Sequence, residues 1–206
     1  MQSSILSTIN HIRDTKTCGR STKFDAKPLY NVETVTNICN NLIYLTLEVR
    51  FDSLDKGQDP TPPEKYNMLI ATHGLAPVDI VGQITGKELG GSGTHDFNMF
   101  PLNSTLDITN WKLDEDKVYN YIKQGENRTA KLTYGLEYPE PEYNQFDEIK
   151  EPFYVGRPKR IYYHFVLCEN GSSVGDPVEG MFENPPPVIP ISKPPSWLQS
   201  KSKLFP

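Results

Sequence analysis

Three kinds of side chain in this sequence could do chemistry: four histidines, three cysteines and a set of carboxylates and amides around a glycine-rich stretch. That stretch, "VGQITGKELGGSGTHDFNMFP" from Val81 to Pro101, carries Gln83, His95 and Asn98, and it is followed by Asp107 and Glu115. A base for proton transfer has to be a histidine or a carboxylate, because an amide such as Gln83 cannot accept a proton near neutral pH. His73 precedes the stretch by ten residues and His95 lies inside it, both in expected loops. A loop histidine is more often a turn or surface residue than a base, and a base must reach the attacked water through a hydrogen bond. His11 and His164 fall on an expected helix and an expected strand, where packing accounts for them. Cys18, Cys39 and Cys168 have no CxxC or Cys/His spacing, which argues against zinc. As an odd set they are either reduced interior thiols or the source of an intermolecular disulfide.

The elements that must position these residues are readable in outline. Residues 107–124 are expected to form the main helix: Ile108, Trp111, Val118 and Ile122 share one stripe, Asp107 is a candidate N-cap and Gly125 a stop. Gly86, Gly90, Gly91 and Gly93 make the preceding stretch a turn-rich loop. Residues 41–51, 130–138 and 159–170 read as strands, the last two as antiparallel neighbours. Ile5, Ile9 and Ile12 mark a short N-terminal helix. Residues 139–152 form an acidic loop with five carboxylates against Lys150. From Asn184 onward seven prolines exclude helix and sheet interior. The expected organisation is therefore an N-terminal arm (1–27), one α+β domain with an antiparallel sheet (28–184) and a Pro-rich strap (185–206).

The 206 residues carry a formal charge of −5. Nonspecific nucleic-acid binding relies on Lys and Arg displacing counterions, so the acidic balance argues against that partner. Arg157, Lys159 and Arg160 form the one compact basic group, more simply read as flanking a strand. No stretch approaches the roughly 20 apolar residues of a membrane helix, and the first residues lack the pattern of a secretory signal. Both point to an intracellular protein without a membrane partner.

The ordered motifs resemble the DNA/RNA non-specific endonuclease family of the ββα-metal (His-Me finger) type. The matching residues are Val81-Gly82-Gln83, Leu89-Gly90-Gly91-Ser92-Gly93, Asn98-Met99-Phe100-Pro101, Leu106-Asp107 and Glu115, with the closing strand at "GRPKRIYYHFVLCENG" and the ending "GMFENP". The resemblance covers roughly residues 40–185. It implies a ββα-metal core and a site where a histidine base, a metal-binding asparagine, a glutamate holding the metal's waters and an arginine on phosphate hydrolyse a phosphodiester. Here Gln83 stands at the base, Val81 at the arginine and Asp107 at the asparagine, while Asn98 and Glu115 match. Loss of a general base costs on the order of 10²- to 10⁴-fold in rate, so the resemblance implies a catalytically degenerate member.

The expected function is accordingly non-enzymatic: a structural, self-assembling or binding protein on a nuclease-like scaffold, in the extreme form a lattice or shell protein of the viral occlusion type. Its partner would be itself, through terminal arms anchored by Trp197, Leu198, Leu204 and Phe205. No cofactor is expected. One alternative is a divergent nuclease with Mg²⁺ or Mn²⁺ at Asp107 and, through water, Glu115. Another is an adaptor whose prolines bind aromatic grooves.

Overall fold

A computed structural model describes residues 4–15, 20–37, 40–61, 79–139 and 156–186. Cys18, Cys39, His73, residues 140–152 of the acidic loop, and the tail with Trp197, Leu198, Leu204 and Phe205 lie outside these residues. The chain is α+β. Its main sheet has seven strands, all paired antiparallel, in the order β1 (Ser21–Ala26), β2 (Leu29–Thr36), β3 (Leu42–Val49), β6 (Arg128–Glu137) and β7 (Arg160–Glu169), with β8 (Ser172–Ser173) and β9 (Val178–Glu183) both on the outer side of β7. A separate two-stranded sheet pairs β4 (Asp79–Gln83) with β5 (Met99–Asn103). Among the described residues two α-helices complete the fold, α1 (Ile5–Thr15) and α2 (Thr109–Ile122).

The sheet is covered on both faces, and alternation along β6 and β7 sets which residue faces which layer. Gly135 of β6 meets Ile9 of α1, with an added Cβ only 3.1 Å from the Ile9 side chain, so the absent side chain lets the helix lie close. One residue earlier, Tyr134 points to the opposite face, where Thr85 reaches its hydroxyl. Tyr163, paired with Tyr134 across the ladder, donates its hydroxyl to Asp114 of α2 at 2.8 Å. α2 and the β4–β5 pair therefore occupy the face opposite α1. The core on that side runs from Leu45, Leu47 and Leu132 through Tyr134 and Phe165 to Phe100, Trp111, Val118 and Ile122. Trp111 stacks on Phe182 of β9 with ring centroids 4.7 Å apart.

The described residues of the N-terminal segment, 4–15 and 20–26, pack on this body. Ile9 and Ile12 are buried under α1 and β1 is laddered to β2, so the expected boundary at residue 27 cuts through the turn of a hairpin. The β7–β8 turn uses Asn170 and Gly171, both at positive φ, the Asn-Gly pairing that tight hairpins select.

The outer edge of β5 is closed by three different means. The Met99 amide donates to Asp96, Pro101 has no amide to offer, and the Asn184 carboxamide receives the Asn103 N–H at 3.1 Å and donates to the Pro101 carbonyl at 2.8 Å. Asn184 is held in turn by Arg157, whose guanidinium donates to the Asn184 side chain (3.0 Å), the Asn184 carbonyl (3.2 Å) and the Pro185 carbonyl (3.1 Å), and pairs with Asp79. Arg157 and Asp79 are 3% and 0% exposed at their side chains. This knot joins the start of β4, the end of β5, the residues before β7 and the end of β9.

Candidate functional site

The glycine-rich stretch becomes the wall of a cleft because it folds back on residues 55–61. Successive amides of that segment donate across the gap: Asp55 to Glu88 (2.9 Å), Gly57 to Lys87 (3.1 Å), Gln58 to Gly91 (3.1 Å) and Thr61 to Gly93 (2.6 Å). The backbones are too close for side chains. A Cβ on Gly91 would sit 1.8 Å from the Thr85 carbonyl oxygen, and one on Gly93 2.0 Å from that of Asp59. Tyr119 of α2 adds a third tie, donating to Asp55 at 2.9 Å.

The resulting cleft holds about 330 Å³ and is lined by Gln83 at the end of β4, Glu115, Lys112 and Asp116 of α2, and Asp59, Lys87 and Glu88 of the two loops, among others. Of the residues singled out in the sequence, Gln83 and Glu115 are brought together here. Asn98, Asp107, Val81 and His95 do not line it.

Each has an identifiable task. Gln83 donates its amide to the Gln58 carbonyl at 2.8 Å and to the Ser92 carbonyl at 3.3 Å, tying β4 to both loops. Asn98 is fully buried and spends its amide on the loop interior: it receives the Thr85 N–H (2.8 Å) and donates to the carbonyls of Thr85 and Ser92 (3.0 Å each). Asp107 is exposed and receives the Thr109 N–H at 2.9 Å in the first turn of α2. Bonds from the Thr109 hydroxyl and amide hold its carboxyl below the usual range. Val81, opposite Pro101 in the ladder, is half-buried.

Glu115 is not the solvated helix residue its "DEDK" context suggests. It is 5% exposed, receives the Gly86 N–H at 2.8 Å and pairs with Lys112 at 2.8 Å. The sequence does hold the clue: Trp111, Glu115, Val118 and Ile122 are the buried positions of α2, so Glu115 fills the gap in the apolar stripe.

Burial pushes the Glu115 carboxyl above the usual range, against the opposing pull of Lys112 and the Gly86 amide. The folded chain thus keeps this proton to higher pH than the unfolded chain. Stability should fall as pH rises between the unfolded and folded values, where the folded form binds more protons. Glu115→Gln keeps an acceptor for Gly86 and is expected to remove that slope, which urea titrations across the carboxylate range would read as a flatter stability profile.

Other expected site residues lie elsewhere. His95 is exposed, stacks on Phe97 at 5.4 Å and lines a different groove. His164 is buried on β7 at 3.8 Å from Glu179, and desolvation lowers its pKa. His11 is exposed on α1, so packing does not account for it. Cys168 is half-buried on β7. The basic trio is consumed within the fold: Arg157 in the knot, Lys159 on Glu137 (2.8 Å), and Arg160 between Glu137 and Glu183 (3.3 and 3.2 Å). Among the described residues no group of three or more His, Cys, Asp or Glu is arranged to hold a metal ion, and no helix is long and apolar enough to cross a membrane.

The fold and site define an α+β protein whose polar cleft lies between a two-stranded sheet, a helix and a glycine-rich loop. No family model and no curated protein matches the chain. Among solved structures it is similar to an "extracellular endonuclease" (TM-score 0.47, 10% identity, 85% of this chain and 83% of that one) and an "extracellular nuclease" (TM-score 0.48, 10% identity, 84% and 94%).

Proposed function

We propose that the chain is a ββα-type nuclease scaffold whose hydrolytic positions have been turned into structural hydrogen bonds, and that it works by binding or self-assembly. The motif order supports the scaffold: β4, the glycine-rich connection, β5 and α2 follow one another as the resemblance requires, and Gln83 and Glu115 face one cleft. The observation that carries the loss of hydrolysis is Gln83. It occupies the base position with a group that cannot take a proton, and its N–H groups are directed to two backbone carbonyls.

Charge supports the same conclusion. Four carboxylates and two lysines line the cleft, and the lysines are paired, Lys112 with Glu115 and Lys87 with Asp59 at 2.8 Å each. Such a lining repels a phosphodiester rather than steering it in.

The test is a plasmid and RNA cleavage assay with Mg²⁺ and Mn²⁺, comparing the natural protein with Gln83→His and Asp107→Ala. No cleavage by the natural protein is expected. Metal-dependent cleavage that disappears in Asp107→Ala would overturn the proposal and make the chain a divergent nuclease.

A further inference from the structure

A second groove, of about 730 Å³, runs between the β1–β2 end of the main sheet and β5. One wall carries Thr22, Phe24 and Thr36, the other His95 and Phe97, and Phe24 and Phe97 meet edge to face at 5.5 Å. The lining mixes aromatic rings with hydroxyl and amide groups. Grooves of that chemistry recognise proline-rich segments, whose rings stack on aromatics and whose free carbonyls accept hydrogen bonds.

We propose that this groove seats the chain's own Pro-rich C-terminal segment, residues 187–206. The point of departure favours it. The Pro185 carbonyl receives bonds from Arg157 and Asn103 (3.1 Å each) and Asn184 is fastened to Pro101, so the chain is held beside Pro101 and Gly156, two residues of the groove. Reach is not limiting: twenty residues of polyproline helix extend roughly 60 Å at about 3.1 Å per residue. Charge also agrees, because residues 187–206 hold Lys193, Lys201 and Lys203 and no Asp or Glu, in a chain of net charge −5 whose groove bears Asp96. The inference does not depend on the loss of hydrolysis.

The test uses the full chain with Trp111→Phe, which leaves Trp197 as its only tryptophan. Trp197 is expected to emit to the blue of the free peptide 187–206 and to be quenched less by acrylamide. Thr22→Arg and, separately, Phe97→Ser should shift its emission and quenching to the free-peptide values while circular dichroism stays unchanged. Excess peptide 187–206 with Trp197→Phe should do the same without any change to the groove. Trp197 as accessible as in the free peptide overturns the proposal. So does a protected Trp197 that ignores both variants and the competing peptide, since the tail then packs elsewhere. Protection that vanishes on dilution together with a dimer overturns it too, placing the contact between copies.

Discussion

Arg157→Met is expected to destabilise the protein by about 3–5 kcal/mol, the cost of breaking a buried ion pair by removing one of its members. The Asp79 side chain is 0% exposed, so water cannot replace the guanidinium without opening the structure. The same substitution releases Asn184 and the Pro185 carbonyl, and with them one of the closures on β5. In a domain of this size each kcal/mol moves Tm by about 2–4 °C, so a fall of roughly 10 °C is expected by calorimetry. Arg157→Met combined with Asp79→Leu should recover much of the loss, because removing both charges removes the desolvation penalty as well. A double variant no more stable than Arg157→Met would show that the hydrogen bonds to Asn184 and Pro185, rather than the charge pair, hold the knot.

The second large effect is expected at Asn98. Asn98→Ala abandons the Thr85 amide and the Thr85 carbonyl inside the loop, each worth about 1–3 kcal/mol when left unsatisfied, and leaves the Ser92 carbonyl with Gln83 as its donor, so a loss of roughly 3–5 kcal/mol is expected. Asn98→Asp separates shape from hydrogen bonding. Its carboxylate still accepts from Thr85 but cannot donate to the carbonyls of Thr85 and Ser92. It should be at least as damaging as alanine at neutral pH. Burial raises the pKa of such a carboxyl, so the folded form holds the proton longer than the unfolded chain and part of the loss should return as pH falls. Chemical denaturation at two pH values reads both effects. An Asn98→Asp variant unaffected by pH would mean that water reaches the position.

What could be read in the sequence follows from how local each signal is. The stripe of Trp111, Val118 and Ile122 places the main helix within 107–124, and α2 runs Thr109–Ile122. The strand patterns at 41–51, 130–138 and 159–170 are the long central strands β3, β6 and β7, and β6 and β7 do pair antiparallel along their whole length. The β1–β2 hairpin escaped because its residues alternate weakly: β1 is an edge strand whose only buried residue is Ala26. The knot escaped for a different reason. Asp79, Asn103, Arg157 and Asn184 lie far apart in the chain, and nothing near any of them announces a partner. At the cleft, residue types in the sequence indicate that Gln83 is no base, but its two carbonyl partners depend on loops meeting in space.

The sealing of β5 by Asn184 has a consequence for synthesis. β4, β5 and α2 are complete at Ile122, well before Arg157 is made and more than fifty residues before Asn184 follows. At about 5–20 residues per second the gap lasts several seconds. During that interval the nascent hairpin offers the Pro101 carbonyl and the Asn103 amide to whatever strand is nearby, and Asp79 waits without its guanidinium. Translation speed over residues 123–184 therefore sets how long the cell must shield an unfinished edge, and chaperone demand should concentrate there rather than at the N-terminal strands.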